Sequence, residues 1–486
     1  MNHPSARYIV SKFGGTSVAT RSGWQAIVDV VRRHRAAGEH PLVVCSAVSG
    51  VTDRLVALAD SVMSGGDAAP ALAEIGRIHR KLARELEVDA SVLAGEERSL
   101  ASACEAAAAQ PSARARAAIL AHGELISTRL GTAFVAKQGL AASWLDARTL
   151  LRARDDVERD ERYLSASCDP LPRDEMRAAY DATQADVVIT QGFIAGTADG
   201  ATALLGRGGS DASAAYLAAG IGAVALEVWT DVPGVFTADP RRIPDARMVQ
   251  RLSYSEAEAA GALGAKVLHP RTIEPARISG VPIRIGWTGQ PEVAGTRIAR
   301  TLTPSGVKAI VSRRNLVLLA MWRPSSWQPV GFMAAVAARF ARLGLSMDLI
   351  ASSPSEIRTT VDLAAFPTAV ADLEKLCADL EPVCRPRVVS RVACVSAVGA
   401  GVPHDIFAHV PAGTTIHLVS HAANGCHVSI VVDQEAEPEI VAAAHARMMA
   451  QPLDEATFGP TWSELKQPPV AKREPELAAQ PLQESA

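Results

Sequence analysis

A lysine followed by two glycines near the start of the chain has the composition of a phosphate-binding loop. Lys12 comes at the end of a predicted strand and is followed by Phe13, Gly14 and Gly15. Glycines let backbone amides approach an anion closely, and the lysine adds a positive charge. The order is neither GxxxxGK[ST] nor GxGxxG, because the lysine precedes the glycines. A plain turn with a solvated lysine has the same residues, so both interpretations stay open here.

A second glycine-rich segment could also bind an anion. Residues 206–211 read GRGGSD and precede an alanine-rich stretch, 212–219, that predicts a helix. Free amides at a helix N-terminus attract anions. Asp211 is equally suited to be the N-cap of that helix. The segment therefore predicts either an anion site or an ordinary capped helix.

Two further segments carry polar residues next to predicted apolar strands. Residues 229–241 read WTDVPGVFTADPR, and residues 264–270 read GAKVLHP. The second segment supplies another lysine, Lys266. Either Lys12 or Lys266 would also make an ordinary surface charge.

The cysteines and histidines favour structural roles. Seven cysteines without CxxC spacing or disulfide density indicate reduced thiols and a cytoplasmic protein. His421, Cys426 and His427 match no closed zinc site. Cys45 has the character of a small buried side chain rather than a nucleophile. We therefore predict no protein-bound metal.

Composition excludes several classes of partner. The chain has 486 residues, is 48% hydrophobic and carries a formal net charge of −3. A near-neutral charge offers no broad cationic surface for nucleic acid. The uncharged stretch 212–226 is shorter than the roughly 18 residues of a membrane span. The first residues pass directly into a strand pattern, which leaves no room for a secretory signal. We therefore expect neither nucleic acid nor membrane as a partner.

The order of predicted elements divides the chain. Short β-branched segments alternate with helical ones over roughly the first 295 residues, which predicts a mainly parallel α/β sheet. Strands are predicted at 8–10, 42–45, 143–145, 187–190 and 223–230, with a run of helices inserted over 58–127. Beyond residue 303 the pattern suits two small βαββαβ units. Four prolines in residues 467–486 predict a disordered tail.

Six segments taken together resemble the aspartokinase family. They are KFGGTS at 12–17, SAVSGVTD at 46–53, HGE at 122–124, GRGGSD at 206–211, WTDVPGVFTADPR at 229–241 and GAKVLHP at 264–270. The resemblance covers about residues 7–462. The stretch 332–362 is similar to the ACT regulatory domain of lysine-sensitive members. HLVSHAANG at 417–425 and FGPTW at 458–462 are similar to the kinase half of fusions with diaminopimelate decarboxylase.

The resemblance implies an architecture and a reaction. It implies an amino-acid-kinase αβα sandwich at 1–298, ACT domains at 305–385 and 388–450, and a tail at 466–486. The reaction is transfer of the ATP γ-phosphoryl group to the β-carboxylate of L-aspartate, giving 4-phospho-L-aspartate, with Mg²⁺ arriving on the nucleotide. This is the first step toward lysine, threonine and methionine. ACT domains imply a homodimer or higher homo-oligomer.

The resemblance also implies a role for each site residue. Lys12, Glu124, Arg207 and Asp211 are the implied catalytic residues, with Asp211 orienting Lys12. The implied ATP-binding residues are Lys12, Phe13, Gly14, Gly15, Ser46, Thr230, Asp231, Phe236, Arg241 and Lys266. The implied substrate-binding residues are Thr52, Glu124, Arg207, Gly208, Gly209 and Ser210. Phe236 replaces a tyrosine of most relatives, so ring stacking on the nucleotide is expected without a phenolic hydrogen bond.

An amino-acid effector is implied at the first ACT unit. The residues that match the effector pattern are Gly331, Phe332, Met333, Ser346, Met347 and Asp348. The family's glutamate after the serine at 353 is replaced by Pro354. Losing a carboxylate that faces an ammonium removes a bond of roughly 1.5 to 3 kcal/mol. We therefore expect lysine to be a weak effector.

Two other functions are compatible with the same residues. Glutamate differs from aspartate by one methylene, and discrimination on that scale is worth only about 1 to 3 kcal/mol. A kinase of glutamate type is therefore one alternative. A catalytically weak regulatory subunit that binds amino acids is the other, although Lys12, Glu124, Arg207, Asp211 and Lys266 are all retained.

Overall fold

The computed structural model describes residues 6–155, 161–265, 267–300, 304–323, 330–362, 369–408 and 410–466. The strands before residue 300 are β1 (Arg7–Phe13), β2 (Glu39–Cys45), β3 (Ala142–Trp144), β4 (Val187–Gln191), β5 (Ile194–Gly196), β6 (Thr202–Leu204), β7 (Ala225–Thr230), β8 (Val235–Phe236), β9 (Arg247–Val249), β10 (Arg251–Ser253), β11 (Ile283–Trp287) and β12 (Thr296–Ala299).

The helices of this first region are α1 (Arg21–Ala36), α2 (Val51–Met63), α3 (Ala69–Leu86), α4 (Ala94–Ala109), α5 (Ala113–Leu120), α6 (His122–Lys137), α7 (Ala147–Leu150), α8 (Glu161–Leu164), α9 (Asp174–Asp181), α10 (Gly209–Ile221), α11 (Tyr254–Leu263) and α12 (Pro270–Ser279). The run of helices expected over 58–127 is confirmed.

The second region begins after residue 303. Its strands are β13 (Gly306–Trp322), β14 (Ile350–Ser352), β15 (Glu356–Val361), β16 (Arg385–Ala400), β17 (Ile416–His421), β18 (His427–Asp433) and β19 (Phe458–Thr461). Its helices are α13 (Phe332–Arg342), α14 (Ala369–Leu380), α15 (Glu437–Met449) and α16 (Trp462–Lys466).

An eight-stranded sheet forms the centre of the first region. Its strand order is β10-β12-β11-β7-β1-β2-β4-β3. Along the order β11-β7-β1-β2-β4-β3, each strand is parallel to the next one. Strand β11 is antiparallel to β12. The predicted mainly parallel α/β sheet is therefore confirmed.

Side chains of this sheet alternate between two hydrophobic cores, as the pleat of a strand requires. On β2, Leu42 and Val44 lie in one core, and Val43 and Cys45 lie in the other. Helix α10 packs into the first core, and α1, α2 and α6 pack into the second. A sheet buried on both faces gives the three-layer αβα arrangement.

The second region contains one six-stranded antiparallel sheet, in the order β14-β15-β13-β16-β18-β17. The apolar segments 307–311 and 316–321 predict two separate strands, but the structure has one strand, β13, that runs unbroken through both. The two halves of β13 pair along the length of β16, with register shifts between Arg313 and Leu316. Asn315 and Arg391 adopt positive φ values of 59° at this point, which marks an irregularity in each strand.

The predicted ranges 305–385 and 388–450 do not describe how the strands pair. The first half of β13 pairs with β16 residues 394–400, which also pair with β18. The second half of β13 lies between β15 and the first residues of β16. Each unit therefore borrows a strand from the other, because long-range pairing decides strand partners and chain order does not.

The chain returns to the first region after α15. Strand β19 pairs with β9, and β9 pairs with β8, so residues 458–461 extend a small sheet next to Phe236. Residues 467–486, where the tail is predicted, lie outside the described residues. Of the described helices, none is long and apolar enough to cross a membrane.

A buried histidine links three elements of the first region. His34 on α1 places Nδ1 2.8 Å from Glu39 Oε2 and Nε2 3.0 Å from Glu227 Oε2. Glu227 also accepts hydrogen bonds from Trp229 Nε1 and Arg284 Nη1, each at 3.0 Å. Burial lowers the pKa of His34, but the hydrogen bonds and charges of Glu227 and Glu39 outweigh burial and raise the pKa above 6.5. The charged imidazolium therefore stabilises the fold.

We expect His34→Gln to lower the melting temperature most at acidic pH. The stabilisation is complete below the ordinary pKa of about 6.5 and is lost as the pH rises through the raised pKa of the folded state. Removing one partner of a buried ion pair costs roughly 3 to 5 kcal/mol. Melting curves of wild type and variant across this pH range measure the difference.

His404→Gln is the matched control, since His404 is exposed. Its effect on the melting temperature should be small at every pH. A His34→Gln difference that stayed constant with pH would contradict the assignment of charge to His34.

Candidate active site

The carboxyl ends of the parallel strands meet at one edge of the large sheet. Lys12 and Phe13 at the end of β1 lie beside Val44 and Cys45 of β2 and beside Val228 and Trp229 of β7. Ligands of open α/β sheets bind at such an edge. The loops after β1, β2 and β7 are therefore the first candidates for a binding site.

Lys12 forms an ion pair across this edge. Its Nζ lies 2.6 Å from Asp211 Oδ1, with 12% and 18% of the two side chains exposed. Asp211 lies in the first turn of α10, where the helix dipole stabilises a negative charge. The structure therefore brings together the two glycine-rich segments that were 190 residues apart in the sequence.

Glycine is required at two positions of the loops. A Cβ on Gly15 would lie 2.7 Å from the carbonyl oxygen of Ala47. A Cβ on Gly208 would lie 2.4 Å from His269 Cγ, and Gly208 has a φ of +70°. His269 in turn caps α12 by accepting the Arg271 N–H at 3.2 Å. The backbone at both glycines therefore comes closer to its neighbours than any side chain would permit.

Glu124 contributes a buried carboxyl group to the same edge. It lies in the first turn of α6, is 3% exposed, and its Oε2 has no hydrogen-bond partner among the described residues. Burial raises the pKa of Glu124 to about 8, against the opposing effects of backbone hydrogen bonds and the charge of Lys12. Ser127 Oγ ties this turn to the site by donating to the Ser46 carbonyl at 2.8 Å. Thr52, half-buried, lies in the first turn of α2.

Arg207 extends from the second glycine-rich loop. It is exposed and lies between Gly206 and Gly208, both with a φ of +70°. The Gly209 N–H donates to the Gly206 carbonyl at 2.9 Å, which closes the turn. Gly209 is buried and Ser210 half-buried at the start of α10. The loop therefore presents an exposed cation from a constrained backbone.

Four of the predicted nucleotide residues lie at the end of β7 or in the segment after it, namely Thr230, Asp231, Phe236 and Arg241. Thr230 ends the strand, and its Oγ1 donates to Asp231 Oδ1 at 3.1 Å. Asp231 is exposed. Arg241 is 80% exposed on its side chain and binds both carboxylate oxygens of Asp239, at 3.0 and 2.9 Å. Asp231 and Arg241 are therefore exposed to solvent, and Thr230 is partly exposed.

Phe236 lies in an aromatic cluster. It is 8% exposed and packs edge-on against Trp462, with ring centroids 5.8 Å apart and an interplanar angle of 89°. Trp287 also contacts Trp462, at 5.5 Å. The ring is therefore largely buried, and its expected stacking on the nucleotide stays a prediction. Sequence reasoning missed Trp462 because it lies more than 220 residues away from Phe236.

Lys266 lies outside the described residues, so its predicted role stays a prediction. Cys45 is buried at the end of β2, and burial raises the pKa of its thiol far above the ordinary value. This agrees with a packing role for Cys45 rather than a nucleophilic one.

Comparison with known proteins decides the family. The amino acid kinase family matches residues 7–286. The chain is 32% identical over 458 residues to lysine-sensitive aspartokinase 3 of Escherichia coli (strain K12), covering 90% of this chain and 99% of that protein. The chain belongs to the aspartokinase family. Chloroplastic aspartokinase 1 of Arabidopsis thaliana is 29% identical, over 90% of this chain and 79% of the relative.

Solved structures support the same family. The crystal structure of E. coli aspartokinase III in complex with aspartate and ADP (R-state) matches with a TM-score of 0.74 and 30% identity, covering 91% of this chain and all of that one. Its complex with lysine and aspartate (T-state) matches with a TM-score of 0.76 and 30% identity, covering 91% of this chain and 99% of that one. The predicted family and the predicted fold class are therefore confirmed.

The predicted effector residues of this aspartokinase lie at the two ends of α13. Gly331 precedes the helix with a φ of +93°, Phe332 is buried, and Met333 is 40% exposed. Ser346 is exposed and Met347 half-buried in the turn after the helix. The Asp348 carboxylate is bound by Arg313 Nη2 at 2.6 Å. Sequence reasoning missed Arg313, which reaches Asp348 from β13.

We expect Glu124 to be protonated at neutral pH, because burial raises its pKa to about 8. Infrared difference spectra between about pH 7 and pH 9 should show loss of a protonated-carboxyl C=O band in the wild type. Glu124→Gln should lack this band change and keep the wild-type melting temperature within a few degrees. The same band change in both proteins would contradict the assignment.

Proposed function

We propose that this aspartokinase transfers the γ-phosphoryl group of ATP to the β-carboxylate of L-aspartate at the edge that carries Lys12 and Asp211. Membership of the aspartokinase family makes the chain an ATP-dependent aspartate kinase. The product is 4-phospho-L-aspartate, the first intermediate toward lysine, threonine and methionine. The assignment of roles to individual residues is the new part of the proposal.

The observation that carries the proposal is the Lys12–Asp211 ion pair between two glycine-rich loops. Phosphoryl transfer has a loose transition state with negative charge spread over several oxygens, so positioning and positive charge matter most. Asp211 holds the Lys12 ammonium at the carboxyl end of β1, next to Gly14 and Gly15. We assign Lys12 to the transferring phosphoryl group and Asp211 to its orientation.

The nucleophile needs no general base. The side-chain carboxylate of free aspartate has a pKa of about 4 and is ionised at neutral pH. The site therefore has to bring two anions together and neutralise their repulsion. Lys12 and Arg207 are the described cations that we assign to this task.

The amino-acid end of the substrate is assigned to the second loop and to α6. Arg207 binds the α-carboxylate through its planar fork. Glu124 and Thr52 receive the ammonium group, and this positive charge favours the ionised form of the buried Glu124 carboxyl. We assign the side of the aspartate pocket between Arg207 and Glu124 to Gly208, Gly209 and Ser210.

Besides Lys12, the residues assigned to the nucleotide are Phe13, Gly14, Gly15, Ser46, Thr230, Asp231, Phe236, Arg241 and Lys266. Mg²⁺ keeps water ligands and is held mainly by substrate phosphates in kinases. Asp211 is paired to Lys12, and we assign the exposed Asp231 carboxylate to face such an ion. Mg²⁺ bound there would neutralise charge that develops on the phosphates.

The second region is assigned to regulation and assembly. We propose that an amino-acid effector binds at Gly331, Phe332, Met333, Ser346, Met347 and Asp348, and that these ACT-like units pair subunits into a homodimer or higher oligomer. The proposed division is a kinase domain at 1–298 and two ACT-like units at 305–385 and 388–450, which share strands β13 and β16. A cytoplasmic location agrees with seven free cysteines.

We expect aspartate to be preferred over glutamate and acetylglutamate by at least about tenfold in kcat/KM, since a pocket fitted to one chain length loses about 1 to 3 kcal/mol for a methylene. Trapping the acyl phosphates with hydroxylamine and measuring the hydroxamates tests all three substrates. A preference for either of the other two would sink the aspartate assignment.

Substitution of Lys12 tests its assignment to the transferring phosphoryl group. Lys12→Ala should lower kcat by at least about a hundredfold, because a preorganised charge at the transition state is removed. Lys137→Ala is the matched variant, since Lys137 contacts the exposed Glu87 at 3.0 Å. Normal turnover by Lys12→Ala would refute its role, and a wild type without turnover would favour the regulatory-subunit alternative.

We expect lysine to inhibit this enzyme at least about tenfold more weakly than E. coli lysine-sensitive aspartokinase 3 assayed in parallel, because a lost charge-assisted bond is worth roughly 1.5 to 3 kcal/mol. Pro354 stands at the position of the missing carboxylate, and Glu356 is already paired with Arg358 at 2.9 Å. Titration of the initial rate with lysine measures the effect.

Pro354→Glu should strengthen lysine inhibition while leaving the rate without lysine unchanged. Tight inhibition of the wild type, comparable to that of the E. coli enzyme, would contradict the assignment of the effector site.

A further inference from the structure

The loop that carries the proposed nucleotide residues is held from the second region. We define the nucleotide loop as residues 231–246, between β7 and β9. Three of its groups contact β13 or α15, which belong to the second region. The two side-chain contacts, to His445 and Glu437, join chain segments 208 and 195 residues apart.

The strongest contact is made by Glu437, the first residue of α15. Its side chain is fully buried, with 0% exposure. Oε1 and Oε2 accept hydrogen bonds from Arg242 Nη1 and Nη2, each at 2.7 Å. Oε1 also accepts from Ser312 Oγ at 2.6 Å. A bidentate fork of this kind fixes the position and the plane of both groups.

Arg242 belongs to the same turn as Arg241. The N–H groups of Arg242 and Ile243 donate to the Asp239 carbonyl at 3.0 and 2.9 Å. The Asp239 carboxylate binds the Arg241 side chain. A turn anchored at Arg242 therefore holds Arg241 in place, while the Arg241 side chain stays exposed.

Thr237 provides a second anchor in the same loop. Its Oγ1 accepts the Arg247 N–H at 2.9 Å, so its own proton is available to His445 Nε2, 2.9 Å away on α15. The Thr237 carbonyl accepts the Ile310 N–H of β13 at 2.7 Å. Burial lowers the pKa of His445, which keeps the imidazole neutral and able to accept. Both ends of the turn are therefore tied to the second region.

We infer that Glu437 is a positioning residue for ATP, because it holds Arg242 and with it the turn that carries Arg241. This inference rests on the proposed assignment of Arg241 to the nucleotide. Aspartate is assigned to Arg207, Glu124 and Thr52, which lie on other elements. Loss of the Glu437 fork should therefore affect ATP and leave aspartate unaffected.

The test compares Glu437→Gln with the wild type. We expect the KM for ATP to rise about tenfold, because a charge-assisted fork that orders the loop is lost. The KM for aspartate should stay within about twofold, and kcat at saturating ATP should change little. Calorimetric titration with ADP should show a similar weakening, and this readout does not depend on turnover.

Glu435→Gln is the matched control. Glu435 lies two residues earlier and pairs with Arg391 at 2.9 Å, with both side chains well exposed. It should leave both KM values and ADP binding at the wild-type level. If Glu437→Gln does not fold, the same measurements on Arg242→Lys decide whether the fork positions ATP, since lysine keeps the charge and removes the fork.

Two outcomes would overturn the inference. One is ADP binding and a KM for ATP within twofold of the wild type in the folded variant. The other is an equal rise of both KM values together with a lower melting temperature, which would indicate a structural role only. A wild type that binds ADP but does not phosphorylate aspartate would refute the proposed function instead, and ADP binding by the variants would still decide the role of Glu437.

Discussion

The ion pair between Lys12 and Asp211 is the contact on which the rest of the candidate site depends. It requires β1 to end at the same edge as the start of α10, and the parallel sheet with helices on both faces provides this arrangement. A lysine at a strand end and an aspartate at a helix N-terminus are each common and each explained without a ligand. Their approach to 2.6 Å, between glycines that admit no side chain, is what favours phosphoryl transfer.

A second constraint connects the two regions of the chain. Strand β13 pairs along its whole length with β16, and its first half lies against α11 and α15. Buried ion pairs reinforce this contact, since Lys308 reaches Glu256 of α11 at 2.6 Å and Arg242 reaches Glu437 of α15. Charged groups lose their hydration when an ion pair is buried, so the stabilisation by each of these pairs depends on good hydrogen-bond geometry. The position of the nucleotide loop and the position of the second region are therefore coupled.

Local patterns were sufficient for much of the fold. Alternating apolar segments predicted the parallel sheet, and the Ala-, Leu- and Glu-rich stretch predicted the run of helices before α6. Predictions failed where contacts between residues far apart in the chain decide the strand partners. The apolar segments 307–311 and 316–321 predicted two strands, yet β13 runs through both because each of its halves finds partners on β16. Likewise, no local pattern indicated that Phe236 packs against Trp462, which lies more than 220 residues further along the chain.

The sequence by itself determined the family, the reaction class and the residue types of the site, because glycine spacing, lysines and the order of six segments are local properties of the chain. Only the tertiary structure decided which of these residues meet. It paired Lys12 with Asp211, buried Glu124 until its pKa rose to about 8, and placed Glu437 against Arg242. The physical reason is that burial and charge proximity depend on packing between elements far apart in the chain, which no local pattern records.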